Sequence, residues 1–249
     1  MTEESASHIK TRIGFDGAGF SRGAFAARCL ANFVDKVGLL WSRGLPFLWT
    51  ICRSRKKWGE AGESDRPRWN TVLEQQLAAL DYVRLSRIHI KVLAEWDPVS
   101  AMGLPLRPGN EKFSFVSHEV PSVIENAFVA VSLDEKRGSF KPSVWGRRAN
   151  DETKVLQCGF VGCHSDIGGG NKDVGLSTVS LLWMVSEIEN VTGADFQVPA
   201  LLQFINPFQP PRIAFQKANA SHGKRYHGSK PAMQLLNCAA TSGMTVNIY

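Results

Sequence analysis

Apolar and polar positions divide the chain into helix-like and strand-like runs. Gly23 to Val37 predicts a helix. Phe25, Leu30, Phe33, Val34 and Val37 recur at helical spacing, and Gly38 follows as a natural residue just past a helix C-terminus. Trp69 to Leu80 predicts a second helix, with Val72, Leu73, Leu77 and Leu80 on one side. Ile88 to Trp96 predicts a strand, in which Ile88, Ile90, Val92, Ala94 and Trp96 alternate with His89, Lys91, Leu93 and Glu95. Pro121 to Val131 reads as a helix with Pro in its first turn and Ile124, Ala127, Phe128 and Val131 on its apolar face. Val155 to Val161 reads as a short apolar strand. Ser177 reads as the N-cap of a helix running to about Asn190, with Val179, Leu182, Trp183 and Ile188 apolar. Two stretches lack periodicity: Arg53 to Arg68, and the chain after Asn206. The alternation of the two kinds of run predicts an α/β fold, a mainly parallel sheet flanked by helices. The expected organisation is a single domain over 1–249, with 1–18 as a short leader and 207–249 as an irregular C-terminal segment.

Composition narrows the class. At 249 residues, 43% hydrophobic and 21% charged, the chain has an ordinary globular make-up, which excludes collagen, coiled coil and wholesale disorder. The longest apolar stretch, Gly38 to Cys52, is broken by Arg43 and Pro46, so no window reaches the ~20 residues that a membrane span needs. The start, MTEESASHIKTR, has no apolar core of a secretory signal. Five cysteines at unpaired spacings (Cys29, Cys52, Cys158, Cys163, Cys238) point to free thiols in a reducing, cytoplasmic setting. The net charge is +6, with one basic run at Arg53-Ser54-Arg55-Lys56-Lys57. That run reads as a solvated loop, or as a peripheral contact for an anionic membrane; no nucleic-acid partner is expected from it.

Three segments carry candidate chemistry. Gly19-Phe20-Ser21-Arg22-Gly23 matches G-x-S-x-G. The chemistry requires this spacing because the nucleophile sits on a strained strand-to-helix turn, where small flanking residues let helix and strand approach. The N–H of Arg22, after the serine, would be an oxyanion donor at the helix N-terminus. The alternative is a glycine-rich turn before a helix, and Ile13 to Ala18 makes a poor buried strand upstream of it. Asp97 ends the Ile88 to Trp96 run, where functional side chains collect in open α/β sheets; an Asp capping a turn before Pro98 is the alternative. His164 follows the Val155 to Val161 run in Cys163-His164-Ser165-Asp166-Ile167-Gly168-Gly169-Gly170, well placed for a general base. Gly168 to Gly170 read as an anion-binding nest or as a turn needing positive φ. The order Ser, Asp, His is that of α/β-hydrolases. Cys158, Cys163 and His164 also allow a metal reading, but no second Cys or His pair lies at zinc-finger distance.

GFSRGAFAARCLANFVDKVGLLW, AEWDPVSAMGLP, IENAFVAVSLDEKRGSFKPSVW and GFVGCHSDIGGGNKDVGLSTVSLLWM occur in that order. Together they resemble the α/β-hydrolase-like catalytic domain of type VI secretion phospholipase effectors, found also in fungal proteins of unknown function. The match runs from about Gly19 to about Glu189. The resemblance implies a Ser-His-Asp hydrolase of ester bonds, with phospholipids as the substrate class of the bacterial effectors and no cofactor or metal. By motif, Ser21 matches the nucleophile, Asp97 the acid and His164 the histidine. Asp166 and Gly168 to Gly170 match a family signature without an assigned role. Gly19 and Gly23 flank the nucleophile. Val129 stands where many relatives carry a polar residue, which would remove a hydrogen bond near the site. Relatives begin with a strand bearing Asp-Gly-Thr and a long stretch before the nucleophile, whereas 18 residues precede Gly19 here. The expectation is therefore a domain lacking N-terminal strands and the second oxyanion donor. Two readings follow: a serine esterase or phospholipase, or a truncated, inactive interaction module.

Overall fold

In a computed structural model, residues 16–86, 88–99, 116, 119–146, 153–197, 199 and 246–248 are described. Strand β1 (Asp16–Phe20) leads through Ser21 into helix α1 (Arg22–Val37). Strand β2 (Leu39–Leu40) and a 3-10 turn (Ser42–Phe47) precede α2 (Leu48–Glu60) and α3 (Arg66–Ala79). Strand β3 (Arg84–Leu85) pairs with β2, and β4 (Ile90–Trp96), β5 (Ile124–Ser132) and β6 (Lys154–Phe160) follow. The chain continues through α4 (His164–Gly168) and α5 (Gly175–Thr192), and β7 (Val246–Ile248) completes the described elements.

The larger sheet has five parallel strands in the order β1-β4-β5-β6-β7, the α/β arrangement expected. Its register aligns the strand ends. Phe20 pairs with Trp96, Trp96 with Ala130, and Ser132 with Phe160. Whatever follows each of these residues is thus delivered to the same carboxyl edge. Both faces are covered by helices. On one, Ala31 of α1 packs on Ile90, Leu93, Ala127, Val129 and Trp145. On the other, Ile167 of α4 and Met184 of α5 pack on Val92, Ala94, Phe128, Ala130 and Phe160. A third cluster (Val37, Ile51, Leu73, Leu77, Leu80, Val83) joins α2 and α3 to the end of α1. No helix among the described residues is long and apolar enough to cross a membrane.

Several elements differ from their sequence reading. The segment read as a helix from Pro121 to Val131 is strand β5. Eight of its nine residues are buried, so it is apolar on both faces and a helix-spaced subset is always present by default. The segment read as irregular from Arg53 is the second half of α2, and α3 begins at Arg66. The basic run is therefore helical: Arg53, Lys56 and Lys57 are exposed, while Ser54 and Arg55 are buried. Arg55 stacks 4.5 Å over the Trp58 ring. Ser177 lies inside α5, its hydroxyl donating to Val174 O at 3.1 Å; the helix starts at Gly175. Ile13 to Ala18, read as a poor strand, belongs from Asp16 onward to β1 (Asp16–Phe20), where the small Gly19 lets α1 close on the strand; its first three residues lie outside those described. Gly38 does end α1, at φ 82°. The segment from 207 lies outside the described residues apart from β7.

Candidate active site

Ser21 sits between the last residue of β1 and the first of α1, with φ 59° and ψ −123°, a conformation that non-glycine residues rarely adopt. The neighbours hold it there. Its N–H donates to Trp96 O (2.9 Å), and its carbonyl accepts from Phe25 N–H (3.2 Å) and Val99 N–H (3.4 Å). A Cβ on Gly19 would lie 2.6 Å from the backbone nitrogen of Ala24, so the turn closes only with glycine there. Gly23 is different: nothing lies within 4 Å of a Cβ built on it, so the expected steric demand falls on Gly19 alone. Arg22 opens α1, and its N–H has no acceptor within the helix. The expected loss of a second donor from an earlier loop concerns residues outside those described.

Asp97 follows the last residue of β4 and is fully buried, at φ 43°. Its N–H donates to Ala130 O at 2.7 Å. One carboxylate oxygen accepts from Ser132 N–H (2.8 Å). The other accepts from the Ser132 hydroxyl (2.8 Å) and from His164 Nδ1–H (2.6 Å). Because the carboxylate only accepts, Nδ1 carries the proton and Nε2 is left as an acceptor. His164 Nε2 is 2.8 Å from Ser21 Oγ, within reach of the hydroxyl proton. His164 is buried and Ser21 is partly exposed. The three side chains singled out in the sequence, 143 residues apart at most, thus form one continuous hydrogen-bonded line. Such a line can activate a hydroxyl.

The glycine-rich loop after β6 builds the histidine's support. Asp166 is buried; its Oδ2 accepts from Cys163 N–H (2.9 Å) and its Oδ1 from the Asn171 amide (2.8 Å), which caps α4 and ties the loop behind it. Burial, with Asp166 adding to it, pushes the Cys163 thiol up. A Cβ on Gly168 would clash with the nearest atoms of the Phe20 ring, so the ring packs this closely only on a glycine. Gly169 and Gly170 have φ of 87° and 101° with open space around them, so they serve the turn. Cys158 is buried in the sheet's apolar cluster. Among the described residues, no three His, Cys, Asp or Glu side chains gather where a metal ion would sit. Val129 is buried between Glu95 and Gln157 in register, in the apolar cluster under α1. Beside Phe20, a cleft of about 500 Å³ opens between β1, Trp96, α4 and the first turns of α5.

Four residues at this edge were missed in the sequence: Ser132, Glu135, Phe140 and Phe20. Ser132 holds Asp97, Glu135 accepts the His164 N–H (3.3 Å), and Phe20 and Phe140 pack on the imidazole with ring centroids at 4.5 and 5.0 Å. Reading β5 as a strand would have placed Ser132 and the loop after it at the carboxyl edge; reading it as a helix hid them.

Residues 17–187 match the family model of the type VI secretion (T6SS) phospholipase effector Tle1-like catalytic domain. The uncharacterized protein YEL023C of Saccharomyces cerevisiae is 32% identical over 127 residues, which are 49% of this chain and 17% of the yeast protein. The chain thus spans less than a fifth of that relative's length. No solved structure matches it.

Proposed function

On the premise that this chain belongs to the family of Tle1-like phospholipase effector catalytic domains, we propose that it is a serine hydrolase of lipid or other carboxylic esters, with Ser21 as nucleophile, His164 as base and Asp97 as the acid behind it. The observation that carries the reading is the unbroken line from Asp97 through His164 to Ser21, at 2.6 and 2.8 Å, ending on a hydroxyl held in a strained turn.

Ser21 Oγ attacks the ester carbonyl carbon while its proton passes to His164 Nε2. The oxyanion forms near the N–H of Arg22, at the positive end of α1. Collapse of the tetrahedral species breaks the bond to the alcohol, which leaves with the proton from His164. Water then attacks the acyl-Ser21 ester by the same route, releasing the carboxylic acid and restoring the hydroxyl. Asp97 keeps Nδ1 protonated and balances the imidazolium in each step; Ser132 fixes the carboxylate in turn. No step calls for a cofactor.

The same proposal includes peripheral contact with an anionic membrane and a reducing, cytoplasmic setting. The exposed face of α2 supports the first, because Arg53, Lys56 and Lys57 follow Trp49, which is 75% exposed, and Trp41, Leu45 and Phe47 are exposed just before it. The second is supported by Cys29, Cys52, Cys158 and Cys163, none of which forms a disulfide.

Labelling with a fluorophosphonate probe tests the reading. The purified chain is expected to react at Ser21, and Ser21→Ala to abolish both labelling and ester turnover. A folded chain that neither labels nor turns over esters would be an inactive interaction module, and the hydrolase reading would fail.

A further inference from the structure

The loop after β5 carries a side-chain assembly whose parts all converge on His164. Its backbone is joined to the turn that bears the histidine: Leu133 N–H donates to Phe160 O (3.0 Å), Asp134 N–H to Gly162 O (3.0 Å), and Gly162 N–H to Asp134 Oδ2 (2.9 Å). On that platform stands Glu135, whose side chain is 3% exposed. One of its oxygens accepts from Arg137 N–H (2.8 Å) and Nε–H (2.9 Å). The other accepts from Arg137 Nη2–H (2.7 Å) and His164 N–H (3.3 Å). Four donors thus converge on one carboxylate. Burial works to raise its pKa, but the Arg137 and His164 hydrogen bonds overcome it and hold the carboxyl at about 2. The guanidinium of Arg137, pinned by this fork, lies 3.8 Å over the Phe140 ring. Phe140 in turn sets its ring at 67° to the imidazole of His164, 5.0 Å between centroids.

We propose that Glu135, Arg137 and Phe140 form a clasp that positions the His164 imidazole, Glu135 holding its backbone and Phe140 its ring, with Arg137 locking the two together. The inference rests on the hydrolase reading for its purpose, but the geometry stands apart from it. The imidazole must keep Nδ1 on Asp97 while Nε2 first takes a proton from Ser21 and later gives it to a leaving alcohol. Rotation of the ring about its bond to Cβ would break both contacts at once. Hydrogen bonds to Asp97 and Ser21 alone do not resist that rotation strongly, because Ser21 is partly exposed and water competes for it. A ring packed against Phe140 and Phe20 has little room to rotate. Arg137 is 54% exposed, so by exposure alone it should be expendable. In the clasp it is not, since removing it frees Phe140 and leaves Glu135 buried without its cation.

The test uses the full chain with Phe140→Ala, Phe140→Tyr, Arg137→Ala and Arg137→Lys. Three quantities are read: the downfield proton NMR resonance of the His164 Nδ1–H, kcat and KM on a soluble short-chain ester, and the thermal unfolding midpoint. His164→Asn assigns the resonance. Phe140→Ala and Arg137→Ala are expected to broaden or abolish the resonance and to lower kcat by about tenfold to a hundredfold with KM nearly unchanged. Phe140→Tyr, which keeps the edge contact, restores both. Arg137→Lys, which cannot form the flat fork, falls between. Retention of the resonance and of kcat in both alanine variants overturns the clasp. So does a loss that follows global unfolding and is not rescued by Phe140→Tyr, or absence of the resonance from the unaltered chain. If the unaltered chain shows the resonance without turnover, the hydrolase reading fails while the clasp is still decided by the resonance in the variants.

Discussion

Two buried carboxylates lie two residues apart, Glu95 on β4 and Asp97 just past its end, and they end in opposite kinds of network. Glu95 faces α1 from the middle of the sheet. Arg28 donates to both of its oxygens (2.9 and 2.7 Å), Trp145 Nε1–H donates to one of them (2.6 Å), and the guanidinium stacks 3.8 Å over the Trp145 ring. Arg28 also donates to the hydroxyl and carbonyl oxygens of Ser143. Burial pushes the Glu95 carboxyl up, and the Arg28 guanidinium pulls against it. Every polar atom in that group has a fixed partner, and both charged side chains are buried. Asp97 is as deeply buried, yet its partners are a serine and an imidazole, and the line beyond them ends on a partly exposed hydroxyl. The first network is closed on a permanent cation and can only hold the fold. The second is open at one end, with a proton that has somewhere to go. Burial does not separate a structural carboxylate from one proposed to serve catalysis; the charge of the partner and the path to solvent do.

The sharpest test exchanges the two. Asp97→Asn is expected to lower kcat on a short-chain ester by about 10⁴-fold with a modest change in stability, because the amide favours the wrong imidazole tautomer. Glu95→Gln is expected to do the reverse: about 3–5 kcal/mol lost in denaturant unfolding, as Arg28 becomes a buried unbalanced charge, with near-normal turnover in the folded fraction. If Glu95→Gln proved harmless to stability and fatal to turnover, the distinction would collapse. Next in size, Gly168→Ala should cost about 1–3 kcal/mol by forcing the Phe20 ring off α4. It should also slow fluorophosphonate labelling, since the same ring packs on His164.

A pH series sharpens the comparison further. Glu135 falls from an ordinary 4.5 to about 2 in the folded chain, so its folded value is depressed. It therefore adds stability that is present above about pH 4.5 and is lost as pH falls toward 2. Urea unfolding between those limits should steepen for the native chain and flatten for Glu135→Gln; equal slopes would contradict the assignment. The smallest effect is expected far from both networks. Trp49→Ser should shift stability by no more than about 0.5 kcal/mol and leave turnover of a soluble ester alone, while weakening sedimentation with anionic vesicles. Unchanged vesicle binding would remove α2 from the membrane contact.

The legible parts of the molecule were those with local rules. The glycine before Ser21 and the helix after it announce a strained turn, because only a residue without Cβ admits Ala24 so closely. Asp97 was legible as a candidate acid after an alternating strand, and His164 as a candidate base after a short apolar one. The rest of the site was illegible for a common reason. Strand β5 is buried on both faces, so its sequence carries no alternation, and Ser132, Glu135 and Phe140 vanish with it. The basic run in α2 looked like a loop because its helical face becomes visible only once Ile51 and Arg55 have a core to turn toward.

By itself, then, the sequence determined which side chains are candidates for the chemistry and which backbone turns present them, since nucleophile turns, strand ends and positive-φ glycines are set by neighbours a few residues away. Only the tertiary structure decided that Ser21, Asp97 and His164 meet, that Glu95 is locked and Asp97 is not, and that a loop from β5 grips the histidine. Those outcomes depend on strand register and on contacts between residues far apart in the chain, which no local pattern encodes.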